Sequence, residues 1–527
     1  MNYTDKLSRV SESPTIPAGA GRKKEFDVAD LFGEAGKQPD ADPDASAPLD
    51  DKFRKAYFWI ANNAIISPFY DIEFSEEPPR EFEAGDFKSK LTLPTGQSYS
   101  SFILMPLLNL AVRKRCLFVG GPGRGKTASA ILMGLLAGYN KKEIRQAVQH
   151  GQPQMTVSDL LGNPLPSDLM NAKDMGDIKI AWRKWLGMRV KIIDEYNRIP
   201  TRTQSALLTV MGDNYAELMD QIFECPEAAW YLTANDDAGG GTYQVIEALR
   251  DRIDIVVRAL HFNSRFLPEL LARIEGGVDP SDAVPAEIIF SEDEITKANN
   301  AIRAVAIPDA LMRRFEFFAS QFEMLESGAV QFEYKTKDNV KVSGLDMNIL
   351  LNSETGRDKI KDIGTQTMNG ISVRAFMTCL VFIKALAWFR GKTGASFEDA
   401  RAVLPFVLHD KLVQNGESPV FSEGTGPLLR ADRISWLRGL FDMSCAEYDR
   451  LGLDKKDPVR DLMDGFSAGL ASVNEDEAMR RMAKIETSIA EIISGRKLYG
   501  PVYDDLLTLK YLHQRYGNYL KWLRWKG

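Results

Sequence analysis

Short apolar runs that end in polar or acidic groups alternate with helical patterns through the middle of this chain. Cys116-Leu-Phe-Val119 is followed by a glycine-rich turn and then by the helical pattern Ala128-Ser-Ala-Ile-Leu-Met-Gly-Leu-Leu136. Met188-Arg-Val-Lys-Ile-Ile193 runs into Asp194-Glu195, and Trp230-Tyr-Leu-Thr-Ala234 runs into Asn235. Ile253-Asp-Ile-Val-Val-Arg258 alternates as a strand does. Strands of this kind separated by helices predict an α/β core with a parallel sheet, whose ligand groups sit at the carboxyl ends of the strands.

The flanking regions read differently. Residues 1–50 are rich in Asp, Ala, Pro, Ser and Gly, ending in Asp40-Ala-Asp-Pro-Asp-Ala-Ser-Ala-Pro48, a composition that predicts an acidic, disordered segment. Residues 51–100 form an N-terminal extension, with Phe53, Tyr57, Ile60, Ala61 and Ala64 on one helix ahead of an aromatic and proline-rich stretch. The core covers 101–262, and 263–415 reads as a mostly helical lid. An insertion near 327–368 carries the hairpin-like runs Val330-Gln-Phe-Glu-Tyr334 and Asn339-Val-Lys-Val342. Residues 416–527 form an additional helical region that opens with a Gly, Ser and Pro-rich loop and continues in helices such as Glu475 to Ile493. The longest apolar helical pattern, Ala375 to Phe389, is interrupted by Thr378 and Lys384 and is too short to span a bilayer, so no membrane span is expected.

The turn after the first strand holds the chemistry. In Gly120-Gly121-Pro122-Gly123-Arg124-Gly125-Lys126-Thr127, glycines let backbone N–H groups face phosphates, Lys126 reaches the β/γ-phosphates and the Thr127 hydroxyl suits Mg²⁺. The helix that follows adds the positive end of its dipole. Asp194 is placed to complete a Mg²⁺ shell, and Glu195 to polarise an attacking water. The Asn235 amide is placed to hold that water or the γ-phosphate. Arg252, just before the alternating strand, is a candidate finger for a neighbouring subunit's phosphate, with Arg250 as the fallback. Arg374 sits in the first turn of the apolar helix, where the dipole disfavours a cation unless an anion is near.

These residues resemble the MoxR family of AAA+ ATPases. The likeness rests on Asp194-Glu-Tyr-Asn-Arg198-Ile-Pro200-Thr-Arg-Thr-Gln204-Ser-Ala-Leu-Leu208, on Gly241-Thr-Tyr243 through Arg252, and on Gly370-Ile-Ser-Val-Arg374-Ala375, spanning residues of about 100 to 415. The chain departs from the family's usual prolines at Gln244-Val-Ile246 and at Val373. The resemblance implies an AAA+ αβα core, Walker A residues Lys126 and Thr127, Walker B residues Asp194 and Glu195, sensor 1 at Asn235, a trans-acting finger at Arg252 and sensor 2 at Arg374. It further implies ATP and Mg²⁺ as ligands, a homo-oligomeric ring of six subunits, a partner with a von Willebrand factor A domain, and the remodelling or maturation of a client protein complex in the manner of a chaperone. The stretch from Asp159 to Gly187 corresponds to a helix-2 insert, where Met170, Met175 and Trp182 are candidates for contact with a partner or with the neighbouring subunit. Alternatives from other classes are a DNA-directed motor subunit and a magnesium-chelatase-like subunit.

Composition narrows the choice. With 44% hydrophobic and 26% charged residues over 527 positions, the chain has room for several folded units. Its formal net charge of −7 argues against a broad nucleic-acid surface. A C-terminal run with Lys510, Arg515, Lys521, Arg524 and Lys526 among Tyr516, Tyr519, Trp522 and Trp525 is a local exception, read first as an amphipathic helix with its aromatics packed inward. The four cysteines and four histidines are scattered, without metal-like spacing, and the first residues have no signal-peptide core, which together point to a cytoplasmic protein.

Overall fold

The computed structural model describes residues 48–526 apart from 86–88, 167–169, 171–177, 236–244, 246, 278, 323–362, 423–425, 456, 471 and 496–499. The acidic segment before residue 48, Met175, most of the 327–368 insertion with both hairpin-like runs, and Gly241-Thr-Tyr243 therefore lie outside the described residues.

Helix α1 (Leu49–Trp59) precedes α2 (Ser101–Val112), which leads into strand β1 (Arg115–Val119) and helix α3 (Lys126–Leu136). The short helix α4 (Lys141–Ala147) leads to β2 (Val148–His150), followed by β3 (Val190–Asp194), α5 (Thr201–Asp213), β4 (Ala229–Ala234), α6 (Glu247–Arg252) and β5 (Ile255–Arg258). The five strands form one sheet in the order β5-β1-β4-β3-β2, and every neighbouring pair is parallel. The three apolar runs with polar ends thus become neighbouring strands at the centre. Their register sets Val119 beside Ala234 and Arg258, so β1, β4 and β5 end together.

Alternation along these strands decides what each face meets. Cys116, Phe118 and Tyr231 join the larger core with α2, whereas Leu117, Trp230 and Leu232 join a second core in which Trp185 lies edge-on to Trp230 at 5.8 Å. Helix α2 is buried along its whole length, which explains its nearly unbroken apolar sequence. The carbonyl of Pro106 within it accepts from the Tyr231 hydroxyl at 2.9 Å.

Beyond the sheet come α7 (Leu267–Glu275), α8 (Glu292–Ala304), α9 (Asp309–Ser320), α10 (Val373–Phe389), α11 (Phe397–Leu408) and α12 (Arg433–Leu451). Capping boxes start two of them: Ser291 with Glu294 at α8, and Ser396 with Asp399 at α11. Helices α13 (Pro458–Ser467), α14 (Glu475–Gly495) and α15 (Gly500–Lys526) enclose a small core of their own around Ile485, Leu509 and Tyr516. The inward packing expected for the last helix holds for Tyr516 but not for Trp522 and Trp525, which are 44% and 84% exposed. Arg524 already pairs with Glu475 at the start of α14, so the final residues of α15 run past the end of their partner helix. No helix among the described residues is long and apolar enough to cross a membrane.

Candidate functional site

The loop between β1 and α3 turns on glycines in conformations other residues resist. Gly123 and Gly125 have φ of +72° and +74°, and Gly125 caps α3 in the left-handed region. The turn aims the first N–H groups of α3 into the space above the sheet, the arrangement that binds anions. Lys126, at the first position of α3, is buried, and its Nζ donates to Gly120 O at 2.5 Å, Gly121 O at 2.8 Å and Asn235 Oδ1 at 2.8 Å. Three oxygens converging on one ammonium hold it over the ends of β1 and β4.

The acidic residues meet this lysine from β3. Asp194 Oδ1 accepts from Thr127 Oγ1 at 2.6 Å and from Thr233 Oγ1 at 2.7 Å, and its Oδ2 lies 3.2 Å from His150 Nδ1 at the end of β2. Glu195 leaves the strand in the left-handed region, with φ +54°, and its N–H donates to Thr233 Oγ1 at 2.9 Å. Its side chain takes a hydrogen bond from Asn235 Nδ2 at 2.8 Å and an ion pair from Arg198 at 3.2 Å. Gly151 packs so closely beneath this turn that a Cβ there would stand 2.3 Å from Glu195 O.

Five of the residues singled out from sequence, Lys126, Thr127, Asp194, Glu195 and Asn235, are therefore joined through side-chain hydrogen bonds. Thr127 and Asp194 offer a hydroxyl and a carboxylate oxygen side by side, a hard-oxygen donor set of the type Mg²⁺ prefers. The arginines lie elsewhere. Arg252 folds back on α5, donating to the Leu208 carbonyl and standing 4.0 Å from Asp213. Arg374 pairs with Asp251 at 3.3 Å, and Ser372 Oγ donates to the same carboxylate at 3.2 Å. Asp251 is thus the anion that relieves the dipole conflict at the start of α10. Arg250 is exposed, with its electrostatic partner Asp410 nearby. Arg124 reaches sideways to Ala259 O at 2.9 Å and to the His261 ring.

Sequence reasoning passed over several neighbours of this cluster. Thr233, His150 and Arg198 each touch an acidic residue, and only their place next to a strand end or turn could have marked them. It also passed over a cleft of about 760 Å³ that opens from Gly123–Gly125 along α3. Ile65, Phe69, Phe262, Leu270 and Ile274 form much of its apolar wall. These residues come from three separate segments, so no local pattern could have grouped them. Of the candidate contacts on the insert, Met170 is 87% exposed, and Trp182 is half-buried against Phe223 with ring centres 5.6 Å apart.

Residues 115–255 match the model of the ATPase family associated with various cellular activities (AAA). Chaperone MoxR1 of Mycobacterium tuberculosis is 24% identical over 310 residues, covering 58% of this chain and 70% of that protein. A crystal structure of a candidate ATPase from Cytophaga hutchinsonii superposes with a TM-score of 0.43 at 19% identity, covering 64% of this chain and 89% of that one.

Proposed function

We propose that this chain is an AAA+ ATPase of the MoxR type that hydrolyses ATP at the Lys126–Glu195 cluster and works as a ring that remodels a client protein complex. The observation that carries the proposal is the shared hydrogen-bond network in which Lys126, Asn235 and Glu195 are linked directly, with Thr127 and Asp194 paired beside them. A triphosphate laid along Gly120–Lys126 meets the N–H groups of the turn and the Lys126 ammonium, which exchanges carbonyl partners for phosphate oxygens. The apolar cleft beside Gly123–Gly125 has the size and lining for the adenosine end, since about 300–1,000 Å³ is usual for ligand sites.

Each residue has a distinct task in this reading. Thr127 and Asp194 would hold Mg²⁺, which supplies charge neutralisation for the phosphates when bound. Glu195 takes a proton from the attacking water, and Asn235, on its Oε1, fixes the carboxylate's orientation. The single Thr233 hydroxyl bridges the Asp194 carboxylate and the Glu195 backbone, so the metal ligand and the base are set relative to each other. Arg252 and Arg374 are tied to one short segment, Arg374 through its ion pair with Asp251 and Arg252 as the next residue. The partners of both arginines lie outside the Lys126 cluster, which supports a role for both at a neighbour's phosphate, with a ring of six as the working assembly.

Coupling to a client follows from where the helices attach. Asp251 joins the arginine segment to the start of α10, so a change at the phosphate seam is passed to the helical unit. A protein client and a von Willebrand factor A partner are proposed on the family likeness, as is action in the cytoplasm. The decisive experiment mixes Arg252→Ala subunits with Lys126→Ala subunits. Partial recovery of ATPase activity is expected, because some seams then pair an intact loop with an intact finger. No recovery at any ratio, in rings shown to be intact, contradicts the arrangement.

A further inference from the structure

A second cleft, of about 160 Å³, lies at the opposite end of the strands from the ATP site, where α2 hands over to β1. Arg113, Lys114 and Arg115 line it from this junction, Arg303 from α8 and Lys384 from α10, against one acidic residue, Glu227. Arg115 pairs with Asp254, and Arg113 with Glu292, which it shares with Arg189. Lys114, Arg303 and Lys384 have no carboxylate within 4.0 Å among the described residues, and the one hydrogen bond of the Lys384 ammonium goes to the Arg303 carbonyl at 2.9 Å. Arg115 Nε is buried with no hydrogen-bond partner. Of the three cations without a carboxylate partner, Lys114 and Lys384 are half-buried, and holding them together with Arg303 beside the one lining acid is costly unless an anion joins them. They gather, moreover, in a chain whose formal net charge is −7.

From this cluster we propose a second oxyanion site, distinct from the nucleotide site, that takes a free phosphate or pyrophosphate. The cavity falls below the roughly 300–1,000 Å³ of sites that enclose whole organic ligands, so it suits a compact tetrahedral anion rather than a nucleotide. Guanidinium forks and point-charge ammonium groups are the donors such anions favour. The lining residues belong to different units: Lys114 and Arg115 enter the sheet, while Arg303 and Lys384 stand on α8 and α10. A bound oxyanion therefore braces the ATPase core against its helical unit. The site does not depend on the proposed ATPase function, since no residue of the Lys126 cluster lines it.

The test uses the full chain with Lys126→Ala, which weakens phosphate binding at the β1–α3 loop, titrated with orthophosphate and pyrophosphate at constant ionic strength. Saturable binding and a phosphate-dependent rise in melting temperature are expected. Adding Arg303→Gln and Lys384→Gln weakens binding at least about tenfold, as loss of charge-assisted bonds does, and abolishes the rise. Should that variant fold poorly in chloride alone, Glu227→Gln serves instead, because removing the one lining acid tightens binding. Absence of saturable binding in the Lys126→Ala chain, or an affinity left at that chain's value by the Arg303→Gln/Lys384→Gln pair or by Glu227→Gln, overturns the site.

Discussion

Thr233→Val tests whether one buried hydroxyl sets the geometry of the proposed catalytic cluster. Thr233 is 1% exposed; its Oγ1 donates to Asp194 at 2.7 Å and accepts the Glu195 N–H at 2.9 Å. Valine fills the same space, so the change leaves little cavity and removes chiefly the two hydrogen bonds. The bond to the carboxylate is worth about 1.5–3 kcal/mol, and a buried N–H left without a partner costs about 1–3 kcal/mol. Asp194 keeps Thr127 and His150, so the larger consequence falls on Glu195, whose left-handed backbone loses its anchor. Displacing a catalytic group by about 1 Å costs on the order of 10²-fold in rate. The expected result is kcat lowered about 10- to 10²-fold with KM for ATP nearly unchanged. Hydrogen exchange over 190–198 should accelerate, and Thr233→Ser, which keeps the hydroxyl, should retain most of the activity. Wild-type kcat and unchanged exchange in Thr233→Val would refute the bridging role.

Glu195→Gln should bind ATP but turn it over roughly 10² to 10⁴ times more slowly, the usual worth of a positioned base, as single-turnover kinetics would show. Arg374→Ala should lower ATPase activity while leaving ATP affinity of isolated subunits unchanged; loss of that affinity would place the arginine in its own subunit's site. Lys191, wholly buried in β3 over the Trp230 ring, has its pKa pushed down to about 8 by burial. The folded chain thus binds fewer protons than the unfolded one between about pH 8 and 10.5, so this residue's cost to stability is full below pH 8 and fades as pH rises. Lys191→Met should accordingly stabilise the protein more at pH 7 than at pH 10, measured by denaturation at both; an equal effect would contradict the burial argument.

Much of the core was legible because its signals are local. Cys116–Val119, Met188–Asp194 and Trp230–Asn235 each combine an apolar run with a polar end, and the structure brings all three ends together. The hydrogen bonds from Lys126 to Asn235 and from Asn235 to Glu195 join groups that only the parallel sheet makes neighbours, so sequence could name the members but not their wiring. Arg252 and Arg374 show the limit. Their separate motifs were visible, yet the Asp251 carboxylate that links their segments across more than a hundred residues has no sequence signal of its own. The apolar wall built from Ile65, Phe262 and Ile274 was hidden for the same reason. The exposure of Trp525, one residue past the Arg524–Glu475 pair, depended on where α14 begins, a length relation that periodicity does not encode.

Each chain is proposed to grip ATP through Lys126 beside Glu195. Equilibrium titration of ATP with Mg²⁺ into the full-length Glu195→Gln chain, alone and with Lys126→Ala added, examines it most directly. One ATP per chain is expected in the first case and affinity lower by at least about 10²-fold in the second, the loss that follows when a buried charged donor to phosphate is removed. Absence of ATP binding by Glu195→Gln, or affinity that survives the loss of Lys126, would contradict it.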